Sequence, residues 1–177
     1  GENFDGHDFI KQALDKGAAF VLCDINKRDR LSTFDRVIFV KDTQKALMKL
    51  ALYYRNLFDI PFIAVTGSVG KTTTKNMIAK VMETKFRVLK TKGNYNNEIG
   101  LPLTLFNLDK SHQIGVVEMG MSGFGEIRRM VNIVKPQVAV ITNIGISHIE
   151  KLGSKENIAK AKMEILEPLK PDDLAVL

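Results

Sequence analysis

The chain of 177 residues reads as an α/β protein built on a mostly parallel sheet covered by helices. Three observations predict this. Strand-sized apolar runs alternate with amphipathic helical stretches almost throughout. One run, Phe62-Ile63-Ala64-Val65-Thr66, passes straight into a glycine turn and a helix, and no repeat or low-complexity tract interrupts the alternation. At 19.8 kDa the chain can bury roughly 70% of its unfolded surface, so its core needs no covalent staple.

The expected elements follow from that alternation. A helix is expected at 7–16, a strand at 19–24, a charged loop at 26–33, a strand at 36–40 and a longer helix at 43–58. Asp59-Ile60-Pro61 breaks the pattern, because the residue before proline is biased out of the helical region. A domain boundary is placed there, between 1–59 and 60–177. In the second segment strands are expected at 62–66, 86–90, 114–118, 137–141 and 174–177, with helices at 71–85, 98–106, 124–134 and 154–169. The last strand runs off the end of the chain, so the sheet is expected to be unfinished.

Composition narrows the function. Lys+Arg total 26 against 20 Asp+Glu, a formal charge of +6. Spread over this length, with no dense basic block or interleaved aromatic stripe, that excess argues against nucleic acid and suits anionic small molecules such as nucleotides. One cysteine, Cys23, excludes an internal disulfide framework and a cysteine-cluster metal site, and fits a reducing cytoplasm. No run approaches the ~20 apolar residues of a membrane span. The start, Gly1-Glu2-Asn3-Phe4, carries no basic-then-apolar signal pattern.

The most specific motif is Thr66-Gly67-Ser68-Val69-Gly70-Lys71-Thr72-Thr73, set between a buried strand and a helix. A nucleoside triphosphate needs this geometry. Glycines let the backbone curl its N–H groups toward phosphate oxygens, and the helix N-terminus adds its positive end. Lys71 can reach the terminal phosphates and the Thr72 hydroxyl can ligate Mg²⁺. The common pattern has glycine where this chain has Val65; Gly67 supplies the flexibility instead. The bland alternative is a glycine turn capping an exposed helix.

Phosphoryl transfer also calls for ligands at neighbouring strand ends. Glu118 closes Ile114-Gly115-Val116-Val117 and precedes the loop Met119-Gly120-Met121-Ser122-Gly123, which is expected to leave its carboxylate exposed to the crevice; the alternative is a solvated strand-end charge. After Val138-Ala139-Val140-Ile141 comes Thr142-Asn143-Ile144-Gly145-Ile146-Ser147-His148, another polar loop at a strand end. His148 alone suits a structural role, so its candidacy rests on standing opposite Glu118. On the last helix, steps of 100° put Ile158, Ala161, Ile165, Leu166 and Leu169 on one face with Lys162 in its middle. A lysine there must snorkel, pair with an acid or have its charge altered. In Asn94-Tyr95-Asn96-Asn97-Glu98-Ile99-Gly100, Asn96 and Asn97 suit recognition of polar substrate groups and equally suit a cap on the following helix.

Taken together these residues resemble the ATP-dependent Mur ligases of bacterial peptidoglycan synthesis, across essentially the whole chain. The resemblance is carried by Phe4-Asp5-Gly6-His7-Asp8-Phe9, the phosphate loop 66–73, Asn94 to Gly100 with Leu101-Pro102, Glu118-Met119-Gly120, Gly125-Glu126-Ile127, Thr142-Asn143-Ile144-Gly145 with His148, and Ala161-Lys162-Met163-Glu164-Ile165. Within the family, the asparagine-rich loop and Glu118-Met119-Gly120 through Gly125-Glu126-Ile127 are most similar to the MurF type, which joins D-alanyl-D-alanine to UDP-N-acetylmuramoyl-tripeptide.

The resemblance implies a three-domain enzyme, of which 1–59 is the later part of a UDP-substrate domain and 60–177 much of a central ATP-binding domain. A fragment of this kind is expected to bind nucleotide without completing the reaction. The implied chemistry is an acyl phosphate made from ATP, then displacement of phosphate by an amine. Carried over residue by residue, Lys71 cradles the β and γ phosphates, Thr72 and Glu118 ligate Mg²⁺, and His148 helps hold a second ion. Lys162 matches a lysine that the family carbamylates, and Thr66 to Thr73 with Asn143 hold the nucleotide. A cytoplasmic monomer is expected. The competing readings are another Mur ligase step, such as addition of the third amino acid, and a P-loop regulatory module; a guanine-reading Asn-Lys-x-Asp segment is absent.

Overall fold

A computed structural model of the chain describes residues 5–177. Phe4 of the first quoted motif and the start read for a signal pattern therefore lie outside the described residues. The chain divides into two compact units, one ending at Leu47 and one running from Met48 to Leu177.

In the first unit β1 (Val21–Asp24) and β2 (Val37–Val40) pair in parallel, with Val21 opposite Val37 and Asp24 opposite Val40. A 3-10 turn at Gly6–Phe9 leads into α1 (Ile10–Asp15). Asp5 caps that turn by accepting the His7 N–H and also binds the imidazole Nδ1. The other ring nitrogen, Nε2, accepts the Asp24 N–H at 2.9 Å. The Asp5-Gly6-His7 motif is thus a clamp between the turn and β1. The stretch expected to be a charged loop at 26–33 is helical, a 3-10 turn at Ile25–Lys27 followed by α2 (Arg28–Leu31). The Asp24 carboxylate accepts the Asn26 N–H and starts the turn. Leu31, buried with Ile10 and Cys23, anchors it; one apolar residue outweighs the surrounding charge.

α3 (Thr43–Arg55) ends three residues earlier than expected. The Leu57 and Phe58 N–H groups turn back to the carbonyls of Tyr54 and Arg55. The Arg55 guanidinium donates to the carbonyls of Phe58, Ile60 and Val134, fixing the exit. From Met48 onward α3 packs in the second unit, where Ala51 is fully buried. The packing division therefore falls inside α3, upstream of Asp59-Ile60-Pro61.

The second unit is a five-stranded parallel sheet in the order β4-β5-β3-β6-β7, made of β3 (Phe62–Thr66), β4 (Val88–Lys90), β5 (Ile114–Glu118), β6 (Val138–Ile141) and β7 (Leu174–Val176). β3 and β5 keep their expected bounds; the other strands are shorter. Alternation sends Phe62 and Ala64 of β3 into the larger core and Ile63 and Val65 into the smaller one on the opposite face. α4 (Lys71–Met82), which supplies Ala79, covers the smaller core. α5 (Gly100–Leu105), α6 (Glu126–Val134) and α8 (Lys155–Met163) supply the larger.

Helices expected at 71–85, 98–106, 124–134 and 154–169 are all shorter than the pattern suggests. Gly70 and Gly125, each at φ 81°, set the starts of α4 and α6, and the Asn97 side chain caps α5 by accepting the N–H groups of Ile99 and Gly100. Ser154 caps α8. That helix gives way at Glu164 to a 3-10 turn, Glu164–Leu166. The buried Glu164 carboxylate accepts the N–H groups of Gly125 and Arg128 at 2.8 and 3.0 Å and so caps α6. A short helix, α7 (Ile149–Leu152), was not expected.

Candidate functional site

Because the sheet is parallel, the carboxyl ends of β3, β4, β5 and β6 open on the same side, and every strongly signalled residue follows one of them. Gly67 to Gly70 leave β3, Thr91 and Asn96 follow β4, Glu118 ends β5, and Thr142, Asn143 and His148 follow β6.

The loop after β3 owes its shape to two glycines. Gly67 has φ 152°, and a Cβ there would lie 1.9 Å from Thr142 Oγ1. Gly70 is left-handed and starts α4. The loop is braced from β6: the Ser68 N–H donates to the Asn143 carbonyl, and the Val69 N–H to Asn143 Oδ1. Thr142 Oγ1 and Asn143 Nδ2 donate to the Val69 carbonyl. Ser68 Oγ accepts the Gly145 N–H. Thr66 is wholly buried with its hydroxyl donating to the Met119 carbonyl, a strut between strand ends. Thr73 is exposed on the first turn of α4. The first N–H groups of that turn have no acceptor within the helix, and no side chain caps them. Lys71 Nζ is folded over the loop, 2.8 Å from the Gly67 carbonyl and 3.3 Å from that of Ser68.

Glu118 is 1% exposed, not open to the crevice as expected. Its Oε2 accepts the Thr72 hydroxyl at 2.9 Å and its Oε1 the Asn96 amide at 2.8 Å. Its backbone N–H donates to Thr91 Oγ1. Lys75, 2% exposed, stands 4.0 Å from Oε2 and donates to the Thr91 carbonyl at 2.8 Å. Burial pushes its ammonium down, and the Glu118 charge opposes that. Sequence reasoning passed over Lys75 and Thr91. The available signal was the i, i+4, i+8 stripe Lys71, Lys75, Ala79 on the α4 face turned to the sheet.

Lys71, Asn96, Asn97, Glu126, His148 and Lys162 line one cavity of about 310 Å³. His148 is exposed and left-handed, with φ 66°, at the start of α7. It shares this cavity with Lys162 and Lys71, whereas Glu118 reaches it through Asn96. Lys162 is 2% exposed among the apolar residues of its face, as the helical periodicity predicts. No carboxylate among the described residues pairs with it. Burial, and then the Lys71 charge, push its ammonium down to about 8. Asn97 spends its side-chain oxygen on the α5 cap, so of the two amides Asn96 is the one tied to Glu118.

Chemically the crevice offers orphan N–H groups, the amines of Lys71 and Lys162, and one carboxylate–hydroxyl pair. Among the described residues no three His, Cys, Asp or Glu side chains cluster to hold a metal unaided. The donors do fit a hard cation that brings other ligands with it. Thr72 Oγ1 and Glu118 Oε2 are both oxygens, and their 2.9 Å separation matches one edge of an octahedron with Mg²⁺–O distances of about 2.0–2.1 Å. No described helix is long and apolar enough to cross a membrane.

Residues 65–177 match the family model described as the Mur ligase middle domain. The chain is 49% identical over 176 residues to the UDP-N-acetylmuramoyl-tripeptide–D-alanyl-D-alanine ligase of Bacillus subtilis, covering 99% of this chain and 38% of that protein. Among solved structures it is similar to MurF from Acinetobacter baumannii, with TM-score 0.89, 37% identity, and coverage of 99% of this chain and 38% of that one. MurF ligase from Thermotoga maritima in complex with ADP gives TM-score 0.87 and 39% identity, covering 99% of this chain and 40% of that one. The chain thus spans less than half the length of the relatives it matches. By its middle-domain match, and by likeness along nearly all its length, the chain belongs to the Mur ligase family.

Proposed function

We propose that the complete protein is an ATP-dependent amide ligase that adds D-alanyl-D-alanine to UDP-N-acetylmuramoyl-tripeptide. The observation that carries this is the loop at the end of the central strand, with Lys71 folded over it and Thr72 held 2.9 Å from Glu118. The similarity to a ligase named for that reaction, at 49% identity, supports the substrates, and the ADP complex of a relative supports the nucleotide. Residues 1–59 are assigned to the UDP end of the substrate and 60–177 to ATP, in a monomer of the cytoplasm.

In the first step a substrate carboxylate oxygen attacks the γ-phosphorus, the bond to the β,γ-bridging oxygen breaks, and ADP leaves. In the second the free amine attacks the acyl carbon, inorganic phosphate leaves with its bonding electrons, and the nitrogen loses a proton. A carboxylate is a poor acylating agent at neutral pH, and phosphorylation supplies the leaving group. Both steps gather negative charge where the α4 N–H groups and Lys71 point, so these groups bind the transition state more tightly than the ground state. Lys71 must swing off the Gly67 and Ser68 carbonyls to meet a phosphate; those contacts hold it nearby. Thr72 and Glu118 are the residues that would hold Mg²⁺, with His148 beside a second ion. Bound there, Mg²⁺ supplies charge neutralisation at the transferring phosphoryl oxygens. Asn96 orients the Glu118 carboxylate, and Asn97 presents the neighbouring loop.

Lys162 is assigned as the carbamylated residue. A neutral amine adds to CO₂ to give a carbamate and one proton, and an ammonium pushed down to about 8 leaves part of the lysine neutral near pH 7. The product is an anion where an unpaired cation stood, within the same cavity as His148.

The test is phosphate release from ATP by the complete gene product. Turnover is expected only with both UDP-N-acetylmuramoyl-tripeptide and D-alanyl-D-alanine present; release that needs neither overturns the ligase reading in favour of a hydrolytic switch. Lys71→Ala is expected to leave the fold intact and to weaken nucleotide binding by about 1.5–3 kcal/mol, the range for a charge-assisted contact, with a larger loss in turnover.

A further inference from the structure

Glu118 and Lys75 form the only ion pair among the described residues in which both side chains are buried, 2% and 3% exposed and 4.0 Å apart. The lysine does not sit there by default. Its ammonium donates to the Thr91 carbonyl, while the Thr91 hydroxyl accepts the Glu118 N–H. Lys75, Thr91 and Glu118 therefore link α4, the end of β4 and the end of β5. The same carboxylate oxygen that faces Lys75 accepts the Thr72 hydroxyl, and the other takes the Asn96 amide. One carboxylate with one fixed cation beside it sums to no net charge, and among the described residues no further acid stands close enough to complete a metal-binding group.

We propose that Lys75 is a positioning residue and built-in counter-ion for Glu118, whose charge denies the carboxylate to a free divalent cation, so that metal enters this site only together with the phosphates of a nucleotide. This rests on the reading of the crevice as a nucleotide site, and it adds an order of loading to it. A metal–nucleotide complex brings its own anionic oxygens and uses Glu118 and Thr72 as one edge of its shell. A bare ion finds a carboxylate already neutralised. Thr72 and Asn96 fix which way Glu118 faces, and Lys75, whose Nζ is held by the Thr91 carbonyl, fixes the cation beside it.

The experiment uses the complete gene product and Mn²⁺ as the probe, followed by electron paramagnetic resonance at pH 8 without nucleotide. Wild type is expected to show no specific Mn²⁺ site, Lys75→Met to gain one at least tenfold tighter, and the double variant Lys75→Met/Glu118→Gln to lose it again. Equal Mn²⁺ binding by wild type and a folded Lys75→Met overturns the proposal. If Lys75→Met does not fold, thermal melting of Glu118→Gln and of the double variant decides. The double variant is expected to melt above Glu118→Gln, because it leaves no buried charge unpaired; equal melting overturns the counter-ion role. A separate titration of wild type with ADP and Mg²⁺ tests the nucleotide reading, so the two failures are distinguishable. Absence of ADP binding removes that reading, whereas normal ADP binding with unchanged Mn²⁺ behaviour removes only the role of Lys75.

Discussion

Lys75 and Lys162 are equally buried, at 2% exposure each, and the second unit treats their charges in opposite ways. Lys75 has an acid at 4.0 Å and a carbonyl at 2.8 Å. Lys162 sits on an apolar helix face at the edge of a polar cavity, and burial, with the like charge of Lys71, pushes its ammonium down to about 8. The pair teaches that a buried lysine is not one kind of object. Where a carboxylate and a carbonyl meet it, the cation is part of the architecture; where no acid pairs with it among the described residues, burial works against the cation.

The comparison can be broken most forcefully at Lys162. In the complete gene product, Lys162→Met preserves the length and apolar character of the stem, and kcat measured at matched folding stability is expected to fall by two or more orders of magnitude. Wild-type turnover would show that the residue serves packing alone.

Next in size is the pH dependence of stability. Lys162 drops from an ordinary 10.5 to about 8 in the folded protein. Between about pH 8 and 10.5 the unfolded chain still holds a proton that the folded protein has released, so stability rises with pH across that window. Below about pH 8 both states hold it and the folded state bears the full cost, about 3 kcal/mol. In CO₂-free buffer, where the amine stays unmodified, denaturant melts of wild type and Lys162→Met at pH 7 and pH 10 are expected to show the variant more stable at pH 7, with the gap closing toward pH 10. A constant gap would place the cost elsewhere than in the charge.

The smallest effect sharpens the contrast with a buried anion. Glu164, 3% exposed, is satisfied by two backbone N–H groups at the start of α6. Glu164→Gln keeps one acceptor and loses the charge at the helix N-terminus. It is expected to cost about 1 kcal/mol in a urea melt, with nucleotide binding unchanged; a neutral result would mean that the cap is dispensable.

Much of this architecture was legible in the residues, and the exceptions share a cause. β3 and β5 are continuous apolar runs bounded by turn residues, so their limits are local properties. Lys162 was legible because its anomaly lies on one helix face with Ile158, Ala161 and Ile165. Lys75 escaped because its helix is polar, and its burial depends on Thr91, sixteen residues away. The exposure expected of Glu118 was wrong for the same reason: Thr72 and Asn96 close over it from two other strand ends. Glu164 ends α8 early in order to serve α6, more than thirty residues upstream. Asn143 was legible as a crevice residue, but its two hydrogen bonds to the backbone of Val69 belong to a loop 74 residues earlier.

Those two bonds bear on synthesis at the ribosome. β3 is the first strand of the five-stranded sheet to be made, yet it lies at the centre and pairs only with β5 and β6. Until those emerge, a segment buried along its whole length has no ladder to join, and loop-closure entropy delays its pairing. The glycine loop inherits this timing, because Thr142 and Asn143 hold it from beyond β6. A nascent chain that has not yet reached residue 143 carries the whole phosphate-loop motif in covalent form without the struts that shape it. The final shape of the glycine loop is therefore an event late in the growth of the domain, fixed by an asparagine well downstream of the motif itself.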